Sequence, residues 1–278
     1  VIFSEIFRAV VIKDVKEFSK KVENINSNNK TVLIKDAPLN DKGYSKFSYE
    51  VASCEMTDDI SIRFYDGNDK IIPIRYTDGP LVPENCYNYA VEDYCNKALK
   101  TDGLSENLKS LAQSMLNYGM ASQNYFSYNT NLTPELAEKP SCNSSDLEPY
   151  KLSKSGSVKG ISNPTASLIL DSKTKIHFNF SLDSEYDINS FRFSCDGKTV
   201  KPVKKDDNTY YIEIDNICAA ELGDFHTLKI NGGDLTINYS ALSYAYQAIT
   251  DVSSNDALSD VAMGLYNYYI AAKNYFSD

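Results

Sequence analysis

An internal repeat constrains the fold of this chain more than any other feature of its sequence. Residues 87–128 align without a gap onto residues 237–278 at a constant offset of 150, and 13 of the 42 aligned pairs are identical. The identical pairs include Asn117-Tyr118 with Asn267-Tyr268, and the motif Asn-Tyr-Phe at 124–126 with the same motif at 274–276. A repeat of this length predicts two copies of one structural module.

Helical periodicity dominates the aligned segments. We predict helices over 84–99 and 105–127 in copy one, and over 239–250 and 255–276 in copy two. Pro83 suits a first helical turn, and the Ser105 side chain can cap the second helix. The two long helices carry matching apolar stripes. The stripe residues are Leu108, Leu111, Ala112, Met115, Gly119, Ser122 and Phe126, and Leu258, Val261, Ala262, Leu265, Tyr269, Ala272 and Phe276.

Upstream of the helices, the repeat consists of short strands. Ile176, Phe178, Phe180 and Leu182 alternate with polar residues, which is typical of a half-buried strand, and a shift of 168 residues places this segment on a strand near 7–13. The other predicted strands lie near 47–51, 60–65, 71–74, 191–195, 209–214, 227–230 and 235–237. Short strands at this spacing, without intervening helices, predict an antiparallel sandwich.

We therefore predict an α+β protein with two tandem copies of an antiparallel, immunoglobulin-like β-sandwich, each followed by an α-helical hairpin. Copy one spans 1–128, a linker rich in Pro, Ser and Asn spans 129–165, with a short helical turn near 134–138, and copy two spans 166–278. Copy one also carries an insertion of about 16 residues before its helices. Because the chain starts abruptly in strand-like residues, we expect it to be a fragment of a longer protein.

Composition narrows the classes of function. The formal net charge is -10 and the pI is about 4.8, so we expect no nucleic-acid partner. No apolar run is long enough to span a bilayer, so we expect no membrane insertion. The six cysteines contain no Cys-x-x-Cys pair, and we interpret them as small buried apolar residues whose disulfide pairing the sequence leaves open. We expect no metal and no cofactor.

The helices contain motifs with a known resemblance. The segment MLNYGMASQNYF at 115–126 resembles the signature LLNYGAAAQxYFGYN, and YSALSYAY at 239–246 resembles its partner YSALSYAY. Both signatures occur in a repeat module of large extracellular proteins of gut Clostridia (Lachnospiraceae and Ruminococcaceae). The resemblance implies secretion or cell-surface attachment and a binding or scaffold role. Immunoglobulin-binding superantigen proteins come from the same bacteria, which places immunoglobulins among the expected partners.

Catalytic signatures are weak in the sequence. The only histidines are His177, which we expect on the polar face of a strand, and His226, which we expect at the border of the core. Glycosidases need only two carboxylates, but most acidic residues fall in predicted turns or helix surfaces, where a solvated charge is the usual role. These residues are Asp58, Asp59, Asp66, Asp69, Glu92, Asp93, Asp206, Asp207 and Glu221. We expect a protein that is not an enzyme, and a carbohydrate-active enzyme remains an alternative.

Tyrosine is the unusual residue type: the chain has 21 tyrosines and no tryptophan. Tyrosines shared by both copies at helical spacing are interpreted as internal packing, whereas Tyr76, with Asp78, Gly79 and Leu81, lies in the insertion of copy one. These four residues are the predicted ligand-binding site, because exposed loops on rigid scaffolds often carry binding residues. The expected function is a monomeric, non-catalytic recognition module for a host glycoprotein, an immunoglobulin or a polysaccharide. The alternative in another class is a structural spacer.

Overall fold

The computed structural model describes residues 21–24, 31–33, 51–65, 68, 70–73, 85–170, 174–251 and 255–277. The predicted strand near 7–13 lies outside these residues, as do most of the strand near 47–51 and most of the insertion of copy one. The strand prediction at 71–74 was wrong where it is described, because Ile71 forms a single bridge with Tyr65 and the next two residues are in no strand.

The described part of the first half contains one antiparallel sheet and two helices. Its strands are β1 (Lys21–Asn24), β2 (Thr31–Leu33), β3 (Ile60–Phe64) and β4 (Tyr87–Tyr89), and its helices are α1 (Val91–Lys100) and α2 (Glu106–Phe126). The predicted cap of α2 is confirmed, since Ser105 Oγ accepts a hydrogen bond from the Leu108 N–H at 3.3 Å. The prediction for α1 was wrong at its start, because residues 87–89 pair with β3.

The described residues of the second half form two antiparallel sheets and three α-helices. Its strands are β5 (Ser153–Gly156), β6 (Ile161–Leu170), β7 (Thr174–Leu182), β8 (Phe193–Cys195), β9 (Lys198–Thr199), β10 (Val203–Lys204), β11 (Thr209–Ile214), β12 (His226–Ile230) and β13 (Leu235–Tyr239). Its helices are α3 (Ser144–Leu147), α4 (Ala241–Thr250) and α5 (Asp256–Ser277). The chain is therefore an α+β protein with antiparallel sheets.

The repeat in the sequence has a counterpart in strand pairing. The first sheet has the order β2-β1-β3-β4, and the five-stranded sheet of the second half contains the same order as β9-β8-β12-β13. Ile60 pairs with Tyr89 in the first half, and His226 pairs with Tyr239 in the second. Ile60 and His226 are 166 positions apart, the offset that aligns Glu55-Met56 with Glu221-Leu222, and Tyr89 and Tyr239 are 150 positions apart. The strands before the helices therefore have the same register in both halves.

A short 3₁₀ turn precedes this pair of strands in both halves, at Ser53–Glu55 and at Ala219–Glu221. In each turn the final glutamate accepts a hydrogen bond at 3.3 Å from the backbone N–H of the residue before the turn. The carbonyl of the next residue, Met56 or Leu222, accepts from the second N–H of the following helix at 3.0 and 3.1 Å. The same backbone contacts therefore tie each turn to its helix.

The two sheets of the second half face each other across a shared core. Strand β7 alternates strictly, with four buried apolar residues pointing inward and polar residues pointing outward, which confirms the sequence prediction for this segment. Phe180 of β7 stacks on Phe193 of β8 in the opposite sheet, with ring centroids 5.2 Å apart. This arrangement is that of a β-sandwich.

The long helices of the two halves pack against each other. Tyr118 of α2 stacks on Tyr268 of α5 at 5.9 Å, and these tyrosines are equivalent in the repeat. Asn107 at the start of α2 donates to the Asn274 carbonyl near the end of α5 at 3.5 Å, so the helices are antiparallel. Because equivalent residues meet, the two helices are related by an approximate two-fold axis.

The segment interpreted as a linker is integrated into the fold. Strand β5 pairs with β13, and β6, which begins at Ile161, pairs with β7. The Asn117 side chain accepts from the Glu138 N–H at 2.7 Å, and the Asn267 side chain donates to the Ser141 carbonyl at 3.1 Å. The equivalent residues Asn117 and Asn267 therefore anchor this segment to both long helices.

The predicted helical stripes are confirmed along most of their length but fail at the ends of both helices. Phe126 is 48% exposed and Phe276 is 50% exposed, because each lies in the last turn beyond the helix–helix contact. The interpretation of repeated tyrosines as internal packing holds for Tyr118 and Tyr239, which are buried, but not for Tyr125, which is exposed. In the described part of the chain, no helix has the length and apolarity needed to cross a membrane.

Candidate functional site

The ligand-binding site predicted from the sequence cannot be placed. Tyr76, Asp78, Gly79 and Leu81 lie outside the described residues, so this site remains a prediction. The described residues present another surface, on the outer side of the four-stranded sheet β10-β11-β7-β6. We call it the polar face. Its residues are Thr165, Ser167, Ile169, Lys175, His177, Asn179, Ser181, Val203, Thr209, Tyr211 and Glu213.

Strand register brings the side chains of the polar face together. Because side chains of paired residues point to the same side of a sheet, Glu213, His177 and Ser167 form one row across three strands. Tyr211 and Asn179 are paired in the next row. The alternation in the sequence predicts that the polar residues of β7 point outward. Which residues of β11 lie beside them depends on the strand register, which the sequence does not reveal.

Two aromatic rings stand at the centre of the polar face. The imidazole of His177 stacks on the ring of Tyr211, with centroids 4.4 Å apart and planes 23° apart. The two residues are diagonal neighbours, since His177 pairs with Glu213 and Tyr211 pairs with Asn179. Tyr211 lies outside the hydrophobic core that contains Tyr210 and Ile212. Its ring is therefore a surface feature rather than part of the sandwich interior.

Glu213 fixes the orientation of this centre. One carboxylate oxygen of Glu213 lies 2.8 Å from Nε2 of His177 and 3.3 Å from Nζ of Lys175. The hydrogen bond with His177 is the largest effect and lowers the pKa of the Glu213 carboxyl. Burial opposes it more weakly, and the bond with Lys175 contributes a further lowering. The carboxylate is thus ionised at neutral pH, and it balances the charge of Lys175.

Asn179 and Ser167 complete the hydrogen-bonding groups of the face. The Asn179 amide nitrogen donates to Ser167 Oγ at 3.0 Å and to the His177 carbonyl at 3.1 Å. Among the described residues, nothing donates to the Asn179 side-chain oxygen or to the second oxygen of Glu213. These two oxygens can accept hydrogen bonds from a ligand.

The row of Glu213, His177 and Ser167 has the composition of a catalytic triad but not its geometry. A nucleophilic serine needs a hydrogen bond to the histidine that removes its proton. In the described part of the chain, Ser167 Oγ is bonded to Asn179 instead, and the histidine nitrogen that carries the carboxylate contact is Nε2. The observed contacts orient these side chains, but they do not join Ser167 Oγ to His177 by a hydrogen bond.

The second histidine forms an isolated pair. His226 Nδ1 lies 2.7 Å from one oxygen of Asp196, and the other oxygen of Asp196 accepts from the Thr227 N–H at 2.8 Å. Asp196 is in the turn between β8 and β9, with a φ of 51°. The carboxylate therefore joins this turn to the start of β12, which is a structural role for a residue in such a turn.

Several of the carboxylates considered for glycosidase chemistry take part in local structure. Asp93 accepts from the Ala90 N–H at the start of α1 at 3.0 Å, and Asp206 accepts from the Thr209 N–H at 3.1 Å. Asp58 accepts from the Tyr128 hydroxyl at 2.5 Å and from the Asn129 side chain at 2.8 Å. These contacts explain the three carboxylates through capping, a turn and the end of α2.

The cysteines are consistent with packing residues. None of the six, all in described positions, forms a disulfide, and Cys86, Cys95 and Cys195 are buried. Burial raises the pKa of the Cys95 and Cys195 thiols to about 12, which keeps both thiols protonated and unreactive. Within the described ranges, no group of three or more His, Cys, Asp or Glu residues could hold a metal ion.

Comparison with known proteins adds no assignment: no family model, curated protein or solved structure matches the chain. The function has to be inferred from the polar face and from the packing of the two halves.

Proposed function

We propose that the chain is a non-catalytic recognition module, acting outside the cell or at the cell surface, and that the polar face is a binding surface. The observation that carries this proposal is the stacked pair of His177 and Tyr211, which lies outside the core and is held by Glu213. An amphipathic ring with oriented polar neighbours is the usual composition of a recognition surface. The expected partner is a host glycoprotein, an immunoglobulin or a polysaccharide.

The proposed architecture behind this surface is two tandem immunoglobulin-like sandwiches, each followed by a helical hairpin. Equal strand order in the two halves supports it, as does the packing of α1 on α2 and of α4 on α5. In this arrangement the polar face belongs to copy two. The resemblance of the helices to repeat modules of gut Clostridia supports an extracellular location.

A binding panel tests the proposal directly. The whole chain is immobilised for biolayer interferometry and exposed to host immunoglobulins, mucins and plant polysaccharides. We expect at least one partner to bind, and Tyr211→Ala to weaken that binding. Phe276→Ala is the matched control, because it removes an exposed aromatic ring from the end of α5. Tyr76→Ala tests the loop site predicted from the sequence.

Two results would contradict the proposal. The first is a chain that binds no member of the panel above background. The second is release of reducing sugars when the chain is incubated with the same polysaccharides, since this would indicate a carbohydrate-active enzyme. A variant Ser167→Ala that abolished such release would place the activity on the polar face.

A structural spacer is the second candidate, and the contact between the halves favours it. Tyr118 stacks on Tyr268, and the asparagines at 117 and 267 anchor the connecting segment to both long helices. A spacer requires such a fixed contact and no ligand. Small-angle scattering that fits one rigid conformation, together with an empty binding panel, would support the spacer over the recognition module.

A further inference from the structure

The ionic groups of the polar face are already paired with one another. Lys175 and His177 both contact the same oxygen of Glu213, at 3.3 and 2.8 Å. Together with Tyr211, these three residues are the titratable groups that point outward from β7 and β11. On β6 the outward neighbours are Ser167 and Thr165, which carry no charge. Among the described residues of β6, β7 and β11, the face therefore offers no cation without an acidic partner.

The hydrogen-bonding groups that stay available are mainly acceptors. The side-chain oxygen of Asn179 and the second oxygen of Glu213 receive no hydrogen bond from the described residues, while the Asn179 nitrogen is used twice. Acceptor oxygens favour a ligand rich in hydroxyl donors and repel sulfate and carboxylate groups. A sugar presents such hydroxyls, often on adjacent carbons.

The apolar groups of the face are few. Besides the ring of Tyr211, only Val203, which is 47% exposed, and Ile169 point outward. A protein interface of ordinary stability needs a central apolar patch that excludes water. The single ring of Tyr211, bordered by polar side chains, instead suits a pyranose. The carbon-bound hydrogens on one face of the sugar can pack against the ring while the sugar hydroxyls reach the polar side chains.

We infer that the polar face takes a neutral oligosaccharide, which packs a sugar ring against Tyr211 and donates hydroxyl hydrogens to Asn179 and Glu213. This inference rests on the proposed recognition function and assigns its ligand class. Because no ion pair forms with the ligand, the affinity depends little on salt concentration. The ring contact supplies the largest single contribution, and the acceptors determine which hydroxyl pattern fits.

A glycan panel with matched charge variants tests the ligand class. Neutral β-glucan, xylan and mannan oligosaccharides are compared with polygalacturonate, heparin and sialylated mucin glycans by titration calorimetry on the whole chain. We expect neutral oligosaccharides to bind with an affinity that changes by less than about twofold across moderate salt. Tyr211→Ala should weaken binding about tenfold or more, because removing a central aromatic anchor is among the costliest interface truncations.

Variants separate recognition from folding. Tyr211→Phe keeps the aromatic ring. Its affinity should stay within about threefold of the wild type, a factor that corresponds to about 0.6 kcal/mol of binding free energy. Asn179→Leu removes an acceptor and should weaken binding. Because it also removes the two hydrogen bonds that the Asn179 amide donates, its Tm is measured and binding is compared well below the unfolding transition. Lys229→Ala, on the outer side of the other sheet, is the control that should have no effect.

The outcomes distinguish this inference from the proposed function. Binding only to acidic glycans, with affinity lost as salt rises, overturns the neutral ligand but leaves a recognition module. If the chain binds an immunoglobulin and Tyr211→Ala does not change that affinity, the neutral ligand is likewise overturned while a recognition module remains. A chain that binds neither glycans nor proteins overturns both, and neutral binding that Tyr211→Ala leaves intact places the site elsewhere.

Discussion

Gly223 is a position where one methyl group should measurably destabilise the second half. It follows the 3₁₀ turn Ala219–Glu221 and leaves space for two tyrosine rings. A Cβ built at this position lies 2.7 Å from Cζ and from the hydroxyl oxygen of Tyr269, and 2.8 Å from Cε1 of Tyr150. Real Cβ contacts are longer than 3.0 Å, so Gly223→Ala requires a ring to move.

The rings around Gly223 have little freedom to move. Tyr269 is 2% exposed, its hydroxyl accepts from Nζ of Lys273 at 3.0 Å, and its ring meets that of Tyr150 edge-on at 6.0 Å. Overpacking of a buried site costs about 1–3 kcal/mol. The lower backbone entropy of alanine in the unfolded chain returns about 0.4–1 kcal/mol. We therefore expect Gly223→Ala to lower the free energy of unfolding by roughly 1–2 kcal/mol.

A double-mutant cycle measures this clash. Urea unfolding followed by circular dichroism is recorded for the wild type, Gly223→Ala, Tyr269→Leu and the double variant. Leucine removes the Tyr269 ring atoms that the new Cβ would meet and leaves only the contact with Tyr150 Cε1, so Gly223→Ala should cost less in this background. The reasoning is refuted if Gly223→Ala is as stable as the wild type, or if its cost is the same beside leucine.

Three further perturbations test the anchoring segment, the polar face and a helix start. Asn117→Ala should cost about 1 kcal/mol, and hydrogen exchange of the Glu138 amide, which Asn117 holds at 2.7 Å, should accelerate while distant amides stay protected. Glu213, whose pKa is lowered by His177, stabilises the fold above its unfolded-state pKa of 4.5, and this contribution is lost as pH falls through the lower folded-state value. Glu213→Gln should therefore flatten the loss of Tm below pH 4.5 relative to the wild type, and an unchanged acid limb would contradict it. Ser105→Ala should cost about 1 kcal/mol in urea unfolding, whereas Ser105→Asp should restore most of it.

Local periodicity in the sequence was sufficient to predict the strands and helices that bury one face and expose the other. The alternation from Ile176 to Leu182 and the helix cap at Ser105 follow from side-chain spacing and from backbone hydrogen bonding. The start of α1 was missed because Pro83 was interpreted as a first-turn residue. The repeat itself contained the correction, since Tyr87–Tyr89 aligns with the end of β13.

Other features depend on contacts between distant residues, and local patterns do not contain them. Strand β5 has the sequence SKSG with all four residues exposed, so no hydrophobic alternation identifies it, and only its pairing with β13 makes it a strand. Similarly, the stack of His177 on Tyr211 depends on a register that joins residues 34 positions apart. The sequence placed the predicted recognition residues in the loop at Tyr76, which lies outside the described residues, and gave no indication of the outer face of the sheet.

The contact between each 3₁₀ turn and its long helix explains why the two copies diverge in sequence while keeping the same backbone. Gly119 of α2 and Tyr269 of α5 occupy equivalent positions in the repeat. In copy one the large Met56 side chain fills the space beside the small Gly119, and in copy two the small Gly223 leaves room for the large Tyr269. The large side chain that fills the contact therefore comes from the turn region in copy one and from the long helix in copy two. A single exchange between copies would overfill or empty this contact, whereas the turn-to-helix hydrogen bonds are the same in both copies.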